Sequence, residues 1–142
     1  MENKSIKVLI AEDEPALRDL YKLRLEGESP SFNILFAKDG QEAIDKILDE
    51  KPDLVLLDIM MPKKSGMDVL KEISSNYPSL KIPIVILTAL PNESIKVDAS
   101  RFGVRHYLVK SQILPHEVIR IVKEELGFAD KVDNTQEDNT NE

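Results

Sequence analysis

Five short apolar runs alternate along the chain with segments whose apolar residues recur at helical spacing. The runs cover residues 6–11, 32–37, 53–57, 82–87 and 105–109. In the first, third and fourth runs, three or four consecutive residues are apolar, which is typical of strands buried on both faces of a parallel sheet. The pattern therefore predicts a parallel sheet covered by helices.

The segments between and after these runs have the spacing of amphipathic helices. Pro15 and Pro115 each lie where a first helical turn tolerates proline, and Gly127 is placed to end the last helix. Residues 93–102 form the weakest of the five, with only three apolar side chains in phase. The order of elements is (βα)5 with right-handed crossovers, which predicts one α/β domain over residues 1–127.

Composition narrows the class of protein. A chain of 142 residues with 42% apolar and 32% charged residues fits one globular domain. The absence of cysteine excludes disulfides and thiolate metal sites and fits a reducing compartment. No signal peptide is visible, and no apolar run approaches the ~20 residues of a membrane span. We therefore expect a cytoplasmic protein that does not contact a membrane.

The charge is negative overall and uneven along the chain. The net charge of −7 argues against direct binding to nucleic acid. Residues 128–142 carry five acidic side chains against one lysine and almost no apolar residues, so the preceding part is only mildly acidic. This composition predicts a disordered acidic tail over residues 128–142.

Polar residues follow each apolar run. In chain order they are Glu12-Asp13 after the first run, Lys38-Asp39 after the second, Asp58 after the third, Thr88 after the fourth and Lys110 after the fifth. The carboxyl ends of parallel strands lie at one edge of the sheet, where open α/β sheets bind ligands. All but the Lys38-Asp39 pair, to which we assign no role, are therefore expected to converge. The alternative is that these residues only mark where strands reach solvent.

Three carboxylates, one hydroxyl and one ammonium group suggest a particular chemistry. Close carboxylates raise one another's pKa values unless a cation neutralises them. Oxygen ligands without histidine or cysteine suit Mg²⁺, which often partners phosphate oxygens. A carboxylate beside Mg²⁺ and a lysine can attack phosphorus and form an acyl phosphate. The pattern indicates phosphoryl chemistry.

Four stretches of the sequence resemble the response-regulator receiver family. Residues 58–66 read Asp-Ile-Met-Met-Pro-Lys-Lys-Ser-Gly, similar to the family's D-x-x-M-P-x-x-x-G signature. Glu12-Asp13, Thr88-Ala89 and the stretch 107–110 follow the first, fourth and fifth strands as they do in the family. The likeness covers about residues 5–126. It implies a flavodoxin-like (βα)5 fold, doubly wound around a five-stranded parallel sheet of strand order 2-1-3-4-5.

The resemblance also implies a role for each residue of the acidic group. Asp58 would accept a phosphoryl group from a histidine kinase or a phosphotransfer protein. Asp13, Asp58 and the carbonyl of Met60 would ligate Mg²⁺, and Glu12 would reach the ion through water. The chain would be a switch in a two-component system or a phosphorelay, catalysing only its own phosphorylation and dephosphorylation.

The remaining roles concern the response to phosphorylation. Thr88 would hydrogen-bond one phosphoryl oxygen and Lys110 would pair with another. Tyr107 would turn inward as Thr88 moves, changing the face that binds a downstream target protein. The protein would be a monomer or a phosphorylation-promoted dimer.

The sequence departs from the family pattern in three places. Ser111 follows Lys110 where the family usually has a proline that helps to aim the lysine. Met60 is apolar at a position that influences hydrolysis of the acyl phosphate in the family. Glu12 replaces the commoner aspartate, a variant that we expect to matter little.

Other functions remain as alternatives. A phosphatase of the haloacid-dehalogenase type needs a second aspartate where this chain has Met60, and a flavodoxin-like FMN carrier needs a glycine-rich phosphate loop where this chain has Glu12-Asp13-Glu14. The more serious alternative is a receiver-fold binding module that works without phosphorylation. A stand-alone regulator, a relay intermediate and a fragment of a longer chain are all compatible with the sequence.

Overall fold

The structure, a computed structural model, describes residues 5–28 and 32–128. Strands and helices alternate along these residues. The strands are β1 (Ile6–Ala11), β2 (Phe32–Ala37), β3 (Leu54–Leu57), β4 (Ile84–Thr88) and β5 (His106–Val109). The helices are α1 (Pro15–Glu28), α2 (Gly40–Glu50), α3 (Gly66–Asn76), α4 (Glu93–Ser100) and α5 (Pro115–Glu125), and a 3₁₀ turn (Lys110–Gln112) follows β5.

The five strands form one parallel sheet in the order β2-β1-β3-β4-β5. This confirms the (βα)5 prediction and the strand order implied by the family resemblance. The register aligns Ala11 with both Ala37 and Leu57, so the residues that follow β1, β2 and β3 leave the sheet at one edge. Val109 is aligned with Thr88 at the same edge.

Two apolar layers enclose the sheet, one on each face. Successive residues of β3 face opposite layers: Val55 and Leu57 pack with α2, α3 and α4, whereas Leu54 and Leu56 pack with α1 and α5. All four side chains are at most 3% exposed. Burial on both faces explains why the β3 sequence is continuously apolar instead of alternating.

Three strands have bounds that differ from the predicted ones. β5 begins at His106 instead of residue 105. β3 begins at Leu54, one residue late, and the carboxylate of the preceding Asp53 accepts the Lys7 N–H at 2.8 Å. β4 begins at Ile84 and ends at Thr88, instead of covering residues 82–87. Proline has no N–H to donate to the sheet, so Pro83 ends the irregular segment and the strand starts at the next residue.

The last helix ends where the sequence predicts. Gly127 has a φ of 89°, in the left-handed region, and the Phe128 N–H donates to the Lys123 carbonyl at 2.9 Å. The predicted tail starts at Phe128, whose ring stacks on Phe32 with 5.6 Å between centroids. The rest of that tail, residues 129–142, lies outside the described residues. In the described part of the chain, no helix has both the length and the apolar character needed to cross a membrane.

Candidate functional site

The carboxyl ends of β1 and β3 place the acidic residues side by side. The Asp58 N–H donates to the Ala11 carbonyl at 3.0 Å, which extends the β1–β3 pairing beyond the last residue of β3. Glu12 and Asp58 are buried, whereas Asp13 is exposed. One carboxylate oxygen from each of Glu12, Asp13 and Asp58 lies within 4.8 Å of the others. The structure thus brings together the three carboxylates that the sequence singles out.

Lys110 lies between two of these carboxylates. Its Nζ is 2.9 Å from Glu12 Oε1 and 3.1 Å from Asp58 Oδ2. The lysine begins the 3₁₀ turn after β5 and is 52 residues from Asp58 in sequence. With Ser111 in the place of the family's proline, the lysine still reaches the acidic group.

Burial and charge shift the pKa values of this group. Burial raises the pKa of Glu12, and the Asp58 charge adds to that shift, although hydrogen bonds from Lys110 and the Glu14 N–H oppose it. Burial by itself would lower the pKa of Lys110, but its hydrogen bond to Glu12 and the charge of Asp58 raise it above its ordinary value. The lysine is therefore held in its charged form by carboxylates that need a cation.

The donor set fits a hard divalent cation. Glu12, Asp13 and Asp58 offer only oxygen atoms, the ligands that Mg²⁺ prefers. The second oxygen of Asp58, Oδ1, accepts the Met60 N–H at 3.0 Å. This contact holds the Met60 backbone beside the cluster, while 54% of the Met60 residue remains exposed. The chemistry and spacing of these oxygen atoms fit Mg²⁺.

Thr88 and Tyr107 form a second group on β4 and β5. Thr88 is fully buried, and its Oγ1 accepts the Leu90 N–H at 3.3 Å. The Tyr107 hydroxyl donates to the Leu90 carbonyl at 2.7 Å. Burial raises the pKa of Tyr107, so its hydroxyl stays protonated and able to donate. Both predicted switch residues therefore contact one residue, Leu90.

Sequence reasoning missed two residues near the site. The first is Tyr21 of α1, which lines a cavity of about 10 Å³ together with Glu12 and Asp58. Burial raises the pKa of Tyr21, and the charge of Lys110 opposes this shift. The Tyr21 hydroxyl is the feature of the sequence that could have indicated a place near the site, because a buried tyrosine usually has its hydroxyl near polar atoms.

The second missed residue is Asp39, for which the sequence suggested no role. The structure leaves Asp39 only 2% exposed, and its Oδ1 accepts the Glu42 N–H at 2.8 Å, capping α2. An Asp-Gly pair directly before an apolar helical stripe is a recognisable N-cap pattern, so this part of its role could have been predicted.

One cavity of the described residues lies away from this group. It measures about 670 Å³ and is lined by the amino-terminal end of β4 and the carboxyl-terminal ends of α3 and α5. None of the predicted site residues lines it. The candidate site is therefore the carboxylate group at the opposite edge of the sheet.

Comparisons with known proteins agree with this geometry. A family model described as the response regulator receiver domain matches residues 8–123. The chain is similar to a receiver domain protein (CheY-like) from Methanospirillum hungatei, with 25% identity, 87% and 94% of the two chains covered and a TM-score of 0.77. It is also similar to the response regulator domain of Thermotoga maritima CheB, with 28% identity, coverage of 87% and 94%, and a TM-score of 0.71.

A third similar structure is a DNA-binding response regulator of the LuxR family from Staphylococcus aureus. It is 26% identical, with 86% of this chain and 99% of that chain covered and a TM-score of 0.77. Similarity over these lengths extends across both the sheet and the candidate site.

Proposed function

We propose that the chain, which belongs to the response regulator receiver domain family, is a Mg²⁺-dependent phosphoacceptor switch that takes a phosphoryl group onto Asp58. The observation that carries the proposal is the position of Lys110, whose Nζ contacts Glu12 at 2.9 Å and Asp58 at 3.1 Å. This arrangement sets a fixed positive charge beside a buried carboxylate. Such a charge can stabilise an incoming phosphoryl group.

Four residues would hold the metal ion. Asp13 and Asp58 would bind it directly, together with the carbonyl of Met60, and Glu12 would bind it through water. The ion would neutralise the negative charge shared by the carboxylates and the phosphoryl oxygens. The mutual proximity of the three carboxylate oxygens, within 4.8 Å, supports this assignment.

Asp58 would act as the nucleophile. One of its carboxylate oxygens forms a bond to phosphorus while the bond from phosphorus to the donor's imidazole nitrogen breaks, and the leaving imidazole takes up a proton. Lys110 would move its contact from the carboxylate to a phosphoryl oxygen. The chain would modify only its own Asp58, so it would not turn over another substrate.

Thr88 and Tyr107 would carry the signal outward. The Thr88 hydroxyl would leave the Leu90 N–H and donate to a phosphoryl oxygen, and the loop containing Leu90 would move with it. Because Tyr107 bonds the Leu90 carbonyl, that movement would alter β5 and the adjoining α4 and α5 surface. A downstream target protein would read the altered surface.

The proposed partners follow from this mechanism. A histidine kinase or a phosphotransfer protein would supply the phosphoryl group, and the protein would be a monomer or a phosphorylation-promoted dimer in the cytoplasm. We propose no direct contact with nucleic acid, because the net charge is −7. The receiver domain would span residues 1–127, and residues 128–142 would form an acidic tail.

The test is phosphorylation with a small phosphodonor and Mg²⁺, followed by a phosphate-affinity gel. We expect a shifted band that disappears with EDTA and in Asp58→Asn. Asp53→Asn is the matched control, because its carboxylate binds the Lys7 N–H at the opposite end of β3, and it should shift like the unmodified chain. Absence of a shifted band from folded protein would contradict the proposal and favour a receiver-fold module that binds partners without phosphorylation.

A further inference from the structure

The loop between β3 and α3, residues 58–66, is compact and internally bonded. The Gly66 N–H donates to the Ile59 carbonyl at 2.8 Å, which brings the two ends of the loop together. The Lys64 N–H donates to the Pro62 carbonyl, also at 2.8 Å. A Cβ at Gly66 would overlap the carbonyl of Asp58. These contacts tie the two ends of the loop together, so we expect a displacement of its outer part to reach Asp58.

The first residue of α2 packs directly on the outer part of this loop. The Gly40 N–H points to the Pro62 carbonyl at 3.4 Å. A Cβ on Gly40 would overlap the carbonyl oxygen of Lys64 and lie 2.6 Å from the Lys64 Cβ. Any side chain at position 40 would thus push against the loop backbone, which explains glycine at this position.

Asp39 adds a charge contact to the backbone contact. One of its oxygens caps α2, and the other, Oδ2, lies 3.7 Å from the Nζ of Lys63. Lys63 has a φ of 68°, a left-handed conformation that is unfavourable for lysine and must be held by its surroundings. One neighbour of Lys63 is the carboxylate of Asp39, a residue that is only 2% exposed.

From these contacts we infer that Asp39 and Gly40 are positioning residues, which hold the 58–66 loop so that Asp58 and the Met60 carbonyl meet Mg²⁺ in a fixed arrangement. The inference rests on the proposed function. Neither residue would touch the ion; each would act through the loop, as outer-shell residues do in other metal sites. If Asp39 and Gly40 were only a helix cap, their loss would weaken α2 and leave metal affinity unchanged.

The first experiment measures Mg²⁺ binding by isothermal titration calorimetry in the full chain and in Gly40→Ala. We expect the dissociation constant for Mg²⁺ to rise about 10-fold, a typical loss for an outer-shell change. Gly27→Ala is the matched control, because a Cβ at Gly27 meets nothing within 4 Å, and its affinity should equal that of the unmodified chain. Circular dichroism identifies folded samples. A folded Gly40→Ala protein with unchanged Mg²⁺ affinity would overturn the inference.

The second experiment does not depend on Gly40→Ala folding. Asp39→Asn keeps an oxygen that can cap α2 but removes the charge that faces Lys63. In metal-free protein, we expect the Gly66 amide to exchange its hydrogen several-fold faster, while a sheet amide such as that of Val85 is unchanged. Unchanged exchange at Gly66 would overturn the role of Asp39.

The two proposals fail in different ways. If the unmodified chain does not bind Mg²⁺, the proposed function is wrong, and the metal-free exchange measurement still decides whether Asp39 holds the loop. If the unmodified chain binds Mg²⁺ and Gly40→Ala binds it equally well, only the positioning inference is wrong.

Discussion

The Tyr107 hydroxyl donates a hydrogen bond to the Leu90 carbonyl, with 2.7 Å between the two oxygens. Leu90 also donates its N–H to the hydroxyl of Thr88 at 3.3 Å. One residue of the β4–α4 loop is thus bonded from both sides, by β4 through Thr88 and by β5 through Tyr107. Movement of the Thr88 hydroxyl would therefore displace Leu90 and, through it, the Tyr107 hydroxyl, and this coupling needs no direct contact between the Thr88 and Tyr107 side chains.

The first prediction concerns this hydrogen bond. Tyr107→Phe removes the donor and leaves the Leu90 carbonyl without this partner, so the free energy of unfolding should fall by about 0.5–1.5 kcal/mol. Urea denaturation measures the change. Tyr77→Phe, at a residue that is 38% exposed, is the control and should change stability by less than about 0.5 kcal/mol. Equal effects of the two substitutions would show that the Leu90 contact contributes nothing.

The second prediction is a pH dependence. Burial raises the pKa of Tyr107 above its ordinary value of 10.0. Because the folded state favours the protonated hydroxyl, this contribution to stability is fully present below the unfolded pKa and is lost as the pH rises through the folded pKa. Near-ultraviolet titration of tyrosinate should show Tyr107 ionising above pH 10.0, and Tyr107→Phe should remove that step. The Tyr21 pKa is also raised, so one high step should remain in the variant.

The third prediction concerns Lys110. In Lys110→Met, Glu12 and Asp58 lose the cation that lies between them, and the metal-free protein should lose about 1–3 kcal/mol of stability. Mg²⁺ should then raise the melting temperature more in the variant than in the unmodified chain, because Lys110 is the only positive partner of Glu12 and Asp58 among the described residues. Melting curves with and without Mg²⁺ measure this difference. Lys71→Met, at an exposed residue of α3, should behave like the unmodified chain, and an equal Mg²⁺ response in Lys110→Met would contradict the prediction.

The fourth prediction concerns the lifetime of the acyl phosphate. The Met60 side chain is largely exposed beside Asp58 and cannot orient an attacking water by hydrogen bonding. In Met60→Asn the amide can do so, and the phosphoryl group should be hydrolysed several-fold faster. Decay of the labelled phosphoprotein measures the rate, with Met60→Leu as the apolar control. An unchanged lifetime in Met60→Asn would exclude a role for this position in hydrolysis.

Much of the fold could be predicted from local pattern. The continuous apolar stretch of β3 indicates a strand covered on both faces, and the structure places its residues alternately in two layers. Proline and glycine marked helix ends, as at Pro115 and Gly127, because their effects act on the backbone within a few residues. The start of β4 was misplaced, since the apolar residue Ile82 was included although Pro83 cannot join the hydrogen-bonded ladder.

The site was only partly predictable. Glu12, Asp13, Asp58 and Lys110 directly follow predicted strands, and parallel strands share one carboxyl edge. The sequence therefore predicted that these four residues lie close together. The approach of Lys110 to within 3.1 Å of Asp58 depends on a turn that contains Ser111 instead of proline, and sequence pattern does not specify that distance. The burial of Asp39 and its contact with Lys63 could not be predicted from the sequence either.

The sequence by itself determined which segments are strands and helices, and which polar residues lie at the carboxyl ends of the strands. These properties depend on side-chain periodicity and on backbone preferences over a few residues. Only the tertiary structure decided that Lys110 is held between Glu12 and Asp58, that Leu90 joins Thr88 to Tyr107, and that Gly40 packs on the Asp58 loop. Each of these contacts joins residues from different elements, and its distance is set by the register of the sheet and by the packing of helices and loops on it.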